Sequence, residues 1–68
     1  MNIFALAKLA EAREQAAIAA AETVSPNSIE FDPLCEKLEE LYCAPVYKYA
    51  DLIAEGVSHK DAKLQAGL

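Results

Sequence analysis

The sequence predicts an all-α fold in which a long alanine-rich amino-terminal helix packs on two or three shorter helices, as a helical hairpin or small bundle. Apolar residues recur at helical spacing through most of the 68-residue chain. Nine alanines lie between Ala5 and Ala21, and alanine has the highest helix propensity. We expect a single helical domain, residues 1–68, with helices at 2–24, 33–43, 45–55 and 58–66 and a loop at 25–32.

The first helix is amphipathic, and its apolar side consists mainly of small alanine side chains. A helix over residues 2–24 is roughly 33 Å long at 1.5 Å per residue. Alanine buries little area, so this helix needs a close neighbour. Two interpretations remain open: the helix packs inside its own small domain, or its stripe joins two copies as a homodimer. The stripe has a 4-3-4-3 spacing that favours self-association through Ala5, Leu9, Ala12, Ala16 and Ala19.

Local signals predict where the later helices begin and end. Asp32 and Pro33 form an N-cap and first-position pair that starts a helix. Pro45 cannot continue that helix undistorted, which predicts a kink or break at Cys43 and Ala44. Gly56 is expected to end the third helix, and Ser58 with Asp61 three residues later forms a capping box for the fourth.

Size and charge limit the classes of function. The net charge is −5, and six of the eleven acids lie between residues 22 and 40, which argues against a nucleic-acid partner. No run approaches 18 apolar residues, so no membrane partner is expected. The sequence opens without a secretory signal and has only two cysteines, Cys35 and Cys43, and we expect a cytoplasmic protein.

The residues that catalysis or metal binding requires are scarce. His59 is the single histidine, and its place in the first turn of the last helix is typical of a solvent-exposed residue. No closely spaced pair of cysteines or histidines suits zinc, and the two glycines do not form a phosphate-binding loop. We therefore predict a protein that is not an enzyme and has no catalytic residues, metal or cofactor.

A contact surface for another protein is predicted around the proline at position 45. Tyrosine offers a large contact area with a polar tip, and acidic side chains can meet a basic patch on a partner. The same residues also suit a core boundary and a solvated helix face. The predicted partner-binding residues are Glu36, Glu39, Glu40, Tyr42, Tyr47 and Tyr49.

The last twenty residues resemble the opening of a helix-turn-helix domain. The matching features are the turn Gly56-Val57-Ser58 and the small and apolar residues Ala62, Ala66, Gly67 and Leu68. Lys63 departs from the family, where a small residue usually stands, and the chain stops where a recognition helix would begin. This resemblance implies an alternative function as a truncated DNA-binding regulator or a DNA-packaging accessory protein.

The leading functional prediction is a small regulator or inhibitor that binds a partner protein stoichiometrically, as a homodimer. Short, acidic, helical chains of this kind resemble the small regulators and inhibitors encoded by bacteriophages and other mobile elements. A structural or assembly subunit of a phage particle is a further alternative. The cytoplasm concerned would then be that of a bacterial host.

Overall fold

Three helices form the structure, a computed structural model that describes all 68 residues. Helix α1 spans Ile3–Thr23, α2 spans Phe31–Ala54 and α3 spans His59–Ala66. The helices α1 and α2 run alongside each other as a hairpin, and α3 folds back on α2. The molecule is an elongated rod that measures 43 × 16 × 16 Å. The predicted all-α fold class is confirmed.

The ends of α1 and α3 follow from local capping. The Asn2 side chain accepts a hydrogen bond from the Ala5 N–H at 2.8 Å, and the Ser58 hydroxyl accepts one from the Asp61 N–H at 3.2 Å. Each cap satisfies one amide at a helix start that has no intrahelical partner. Gly67 ends α3 with φ +80°, a left-handed conformation that favours glycine.

Of the predicted kink or break at Cys43 and Ala44, the break is wrong, because α2 continues through Pro45 as one helix of 24 residues. The kink stays a prediction. A proline inside a helix costs about 3 kcal/mol, since it removes a hydrogen bond and crowds the preceding turn. Val46 and Tyr49 follow Pro45 and are buried in the core. Burying side chains of this size contributes about 1.5–3 kcal/mol each. Tertiary packing therefore outweighs the local preference for a break.

Helix α2 also begins two residues earlier than predicted, so the loop covers residues 24–30. Glu30 is the N-cap residue and makes no side-chain cap, whereas Asp32 and Pro33 lie within the first turn. The Ser28 carbonyl accepts a hydrogen bond from the Phe31 N–H at 3.1 Å and thereby closes the turn before the helix. Proline is tolerated in a first turn because its missing N–H has no intrahelical acceptor to lose.

The main core lies at the end of the rod where all three helices meet. Tyr49 is 0 % exposed and is the largest fully buried side chain. At the other end, which we call the distal arm (residues 13–44), α3 is absent and only the hairpin remains. Ala16, Ala20 and Cys43 are the buried residues of this arm. The core cluster consists of Ala5, Leu9, Cys43, Val46, Tyr49, Ala62 and Ala66.

Candidate functional site

The residues predicted to join two copies lie between α1 and α2 of the same chain. Ala5, Leu9 and Ala16 are buried, and Ala12 and Ala19 are half-buried. The backbone of α2 runs alongside α1, so these small side chains allow the two helices of the hairpin to approach closely. Within one molecule, α2 covers Ala5, Leu9 and Ala16 of the alanine stripe, and self-association through the stripe stays a prediction.

The three tyrosines occupy different environments. Tyr42 and Tyr47 are exposed, but Tyr49 is fully buried, so its prediction as a partner-binding residue is wrong. Tyr42 and Tyr49 are seven residues apart, two helical turns, and therefore lie on nearly the same side of α2. Tyr49 is buried because Asn2 and Phe4 at the start of α1 and His59 of α3 pack around it. Tyr42 lacks such a covering and borders an open hollow.

The predicted acidic residues lie on the opposite edge of the hairpin from Tyr42. Glu36 and Glu40 are exposed and Glu39 is half-buried. All three border a hollow of about 290 Å³ that Tyr47 also lines. The structure therefore divides the predicted partner-binding set, placing Glu36, Glu39 and Tyr47 on one edge and Tyr42 on the other. Glu40 borders both this hollow and a second one along α2 that Leu41 lines.

An apolar surface on α2 is left uncovered in the distal arm. We call this surface the open α2 face. Leu41 and Tyr42 on it are exposed, and Leu34, Leu38 and Pro45 are half-buried. Leu41 is 65 % exposed and lines two adjoining hollows, one of about 460 Å³ between α1 and α2 and one of about 580 Å³ along α2. The large apolar side chains of the open α2 face recur every three or four residues, which is the spacing of a helix face that packs against another element.

The open α2 face continues the surface on which α3 packs. Leu52 of α2 and Val57 of the turn pack against the core cluster to which Ala62 and Ala66 of α3 belong. Leu68, immediately beyond α3, lines the same hollow as Leu41, Tyr42 and Pro45. One side of α2 is thus covered by a helix near its carboxyl end and bare near its amino end.

Charge is distributed unevenly along the rod. The distal arm contains seven acidic and two basic residues, and the rest of the chain contains four of each. The whole net charge of −5 therefore lies in the distal arm. One ion pair, between Lys8 Nζ and Glu11 Oε2 at 3.7 Å, neutralises the α1 edge of the groove next to Leu41. The negative field of the arm favours basic ligands.

A hydrogen-bonded aromatic cluster fixes the end of the rod opposite the arm. The Tyr49 hydroxyl lies 2.8 Å from Asn2 Nδ2 and 2.7 Å from His59 Nδ1. The Phe4 ring packs edge-on against both rings, with centroid distances of 5.0 Å to Tyr49 and 4.9 Å to His59. His59 is exposed, as predicted, but its ring also joins this cluster. That contact was not predicted, because Asn2 and His59 are 47 and 10 positions from Tyr49 along the chain and meet it only in the tertiary structure.

Both cysteines are free thiols, and their settings differ. Cys43 is buried in the core cluster, and Cys35 is half-buried on the distal arm. Partial burial raises the pKa of the Cys35 thiol, and the carboxylates of Glu39, Asp32 and Glu36 raise it further. Nearby negative charge disfavours the thiolate, which is the reactive form.

The structure contains no group of three or more histidine, cysteine or carboxylate side chains that could hold a metal ion. No helix has the length and apolar character needed to cross a bilayer.

No protein-family model, curated protein or solved structure matches the chain.

Proposed function

We propose that this protein is a stoichiometric protein-binding regulator that engages its partner through the open α2 face. The observation that carries the proposal is the bare, mainly apolar surface around Leu41, which continues the surface already used by α3. A contiguous exposed apolar surface with a polar border is typical of an interaction site. Tyr42 at its edge supplies the aromatic contact that such interfaces favour.

Self-association through the alanine stripe is not part of this proposal. A second copy could reach Ala16, which is 0 % exposed, only if α1 separated from α2. We propose instead that the chain meets its partner as a monomer of 7.4 kDa. One form of this binding would be inhibition of a host protein, as carried out by small regulators of bacteriophages.

The test is capture of a partner from the cells that produce the protein, with tagged wild-type chain and two variants. Leu41→Glu places a charge in the open α2 face, and Leu64→Glu makes the same change at a residue of α3 that is 72 % exposed. We expect a defined one-to-one complex by native mass spectrometry, lost in Leu41→Glu and retained in Leu64→Glu. Equal capture by both variants would refute the site.

A second candidate function is DNA binding by an incomplete helix-turn-helix unit. It is favoured by the basic side chains of Lys60 and Lys63, which border one hollow of about 270 Å³ on α3. Binding of this kind would weaken steeply with added salt, because each phosphate contact releases counterions. Titration of a labelled duplex tests it, and no change in anisotropy at low salt would exclude it.

A further inference from the structure

We propose that the occupant of the open α2 face is an amphipathic helix of the partner protein, with lysine or arginine flanking its apolar stripe. This inference rests on the proposed function and adds the chemical class of the ligand. Two features of the structure carry it: the length of the face and the charge of the arm that bears it.

The length of the bare surface matches a short helix. Leu34 and Pro45 are eleven residues apart on α2, which is about 17 Å or three helical turns. The neighbouring stretch of the same side is covered by α3, a helix of eight residues. A partner helix placed in line with α3 would complete a third layer along the whole hairpin. Peptide recognition by a helix lying in an apolar groove is a recurring mode of binding.

Like charge argues against a second copy of this chain. Two copies that met through the open α2 face would bring together two distal arms, each carrying a net charge of −5.

Charge around the face selects a basic ligand. The distal arm holds the whole net charge of −5, and Glu40 borders the hollow along α2 together with Leu41. At the rim itself the charges balance, Lys37 against Glu40 along α2 and Lys8 against Glu11 on α1, so the attraction comes from the other acids of the arm. A helix with basic flanks would therefore be attracted to this arm, and an acidic one repelled.

The experiment uses three synthetic helical peptides of about 14 residues, long enough to span the face. All three have the same leucine stripe, and their flanking positions are lysine, glutamine or glutamate. Affinities for the full chain are measured by isothermal titration calorimetry, and the bound site is mapped by amide chemical shifts. We expect the lysine peptide to bind one-to-one and at least about tenfold more tightly than the glutamate peptide, with shifts centred on Leu38 and Leu41.

Protein variants test the site and the charge separately. Leu41→Glu is expected to weaken the lysine peptide at least about tenfold, since it disrupts an apolar contact. The double variant Glu36→Lys/Glu40→Lys should also weaken it, whereas Asp51→Lys/Glu55→Lys, with the same charge change outside the arm, should leave affinity within about twofold. Circular dichroism confirms that each variant is folded.

The outcomes separate this inference from the proposed function. If the three peptides bind equally and Leu41→Glu abolishes binding, the face docks helices without regard to charge, and the inference is overturned while the proposed function stands. If no peptide binds, or the shifts map elsewhere, the inference is overturned and the capture experiment alone decides the proposed function. A wild-type dimer that Leu41→Glu dissociates would show that a second copy is the occupant.

Discussion

The Tyr49 hydroxyl and His59 Nδ1 lie 2.7 Å apart and join the start of α3 to the middle of the core. The same hydroxyl oxygen accepts a hydrogen bond from Asn2 Nδ2 at 2.8 Å, so its hydrogen remains available for the histidine nitrogen. This arrangement fits the histidine tautomer that has its proton on Nε2. One buried hydroxyl thus connects residues from all three segments of the core end.

The first prediction is that Tyr49→Phe destabilises the protein by about 1–2 kcal/mol, because two hydrogen bonds lose their shared partner. Asn2 and His59 can each turn toward water, which limits the loss. Urea unfolding followed by circular dichroism measures the change. Tyr47→Phe is the matched control, since Tyr47 is exposed, and it should change stability by less than about 0.5 kcal/mol. Equal effects of the two variants would contradict the role of the cluster.

The second prediction concerns the proline inside α2. Pro45→Ala restores an N–H donor for the Leu41 carbonyl and should raise the free energy of unfolding by about 1–3 kcal/mol. Pro26→Ala, in the loop, should give no gain, because proline there restricts the unfolded chain without breaking a helix. Urea unfolding of both variants tests this. A loss of stability in Pro45→Ala would show that packing of the half-buried proline ring is worth more than the missing hydrogen bond.

The helix ends that sequence analysis located within one residue are those set by local chemistry. The Ser58 cap and the glycine at Gly67 act through neighbouring residues, so the chain itself contains the signal. Pro45 shows the limit of that approach. Its local effect is to break a helix, and only the burial of Val46 and Tyr49 on the following turn explains why α2 continues.

The candidate site was harder to predict, because exposure depends on where other elements end. Tyr42 and Tyr49 have the same side chain and nearly the same orientation on α2, yet only Tyr49 is covered by α3. Leu41 lies at helical spacing from the apolar residues Leu34 and Leu38, yet it is 65 % exposed. Periodicity identifies an apolar side, but the length of the covering helix decides how much of that side remains open.

The third prediction follows from the raised pKa of Cys35. A higher pKa leaves less thiolate at a given pH, so Cys35 in a Cys43→Ala variant should react slowly with iodoacetamide near pH 7 and faster as the pH rises. Glu39→Gln removes a negative charge that raises this pKa, and should therefore increase the rate at pH 7. Glu55→Gln, away from Cys35 on the same helix, serves as the control. A rate unaffected by Glu39→Gln would exclude that carboxylate as a cause.

The fourth prediction separates a stripe covered within one molecule from a stripe that joins two. Ala16→Glu places a carboxylate at a position that is 0 % exposed between α1 and α2. An unpaired buried charge costs about 3–5 kcal/mol, comparable to the total stability of so small a domain. We expect this variant to unfold, and Ala10→Glu, on the exposed side of α1, to remain folded.

Light scattering after size exclusion completes this test. Because the alanine side chains are already packed against α2, the wild-type chain should elute as a monomer of 7.4 kDa, and so should Ala10→Glu. A wild-type dimer that Ala16→Glu converts into a folded monomer would place the stripe between two copies. That result would show that Ala16 is not buried by α2 of its own chain. In a folded monomeric variant the glutamate side chain would have to lie in solvent, which the hairpin does not allow.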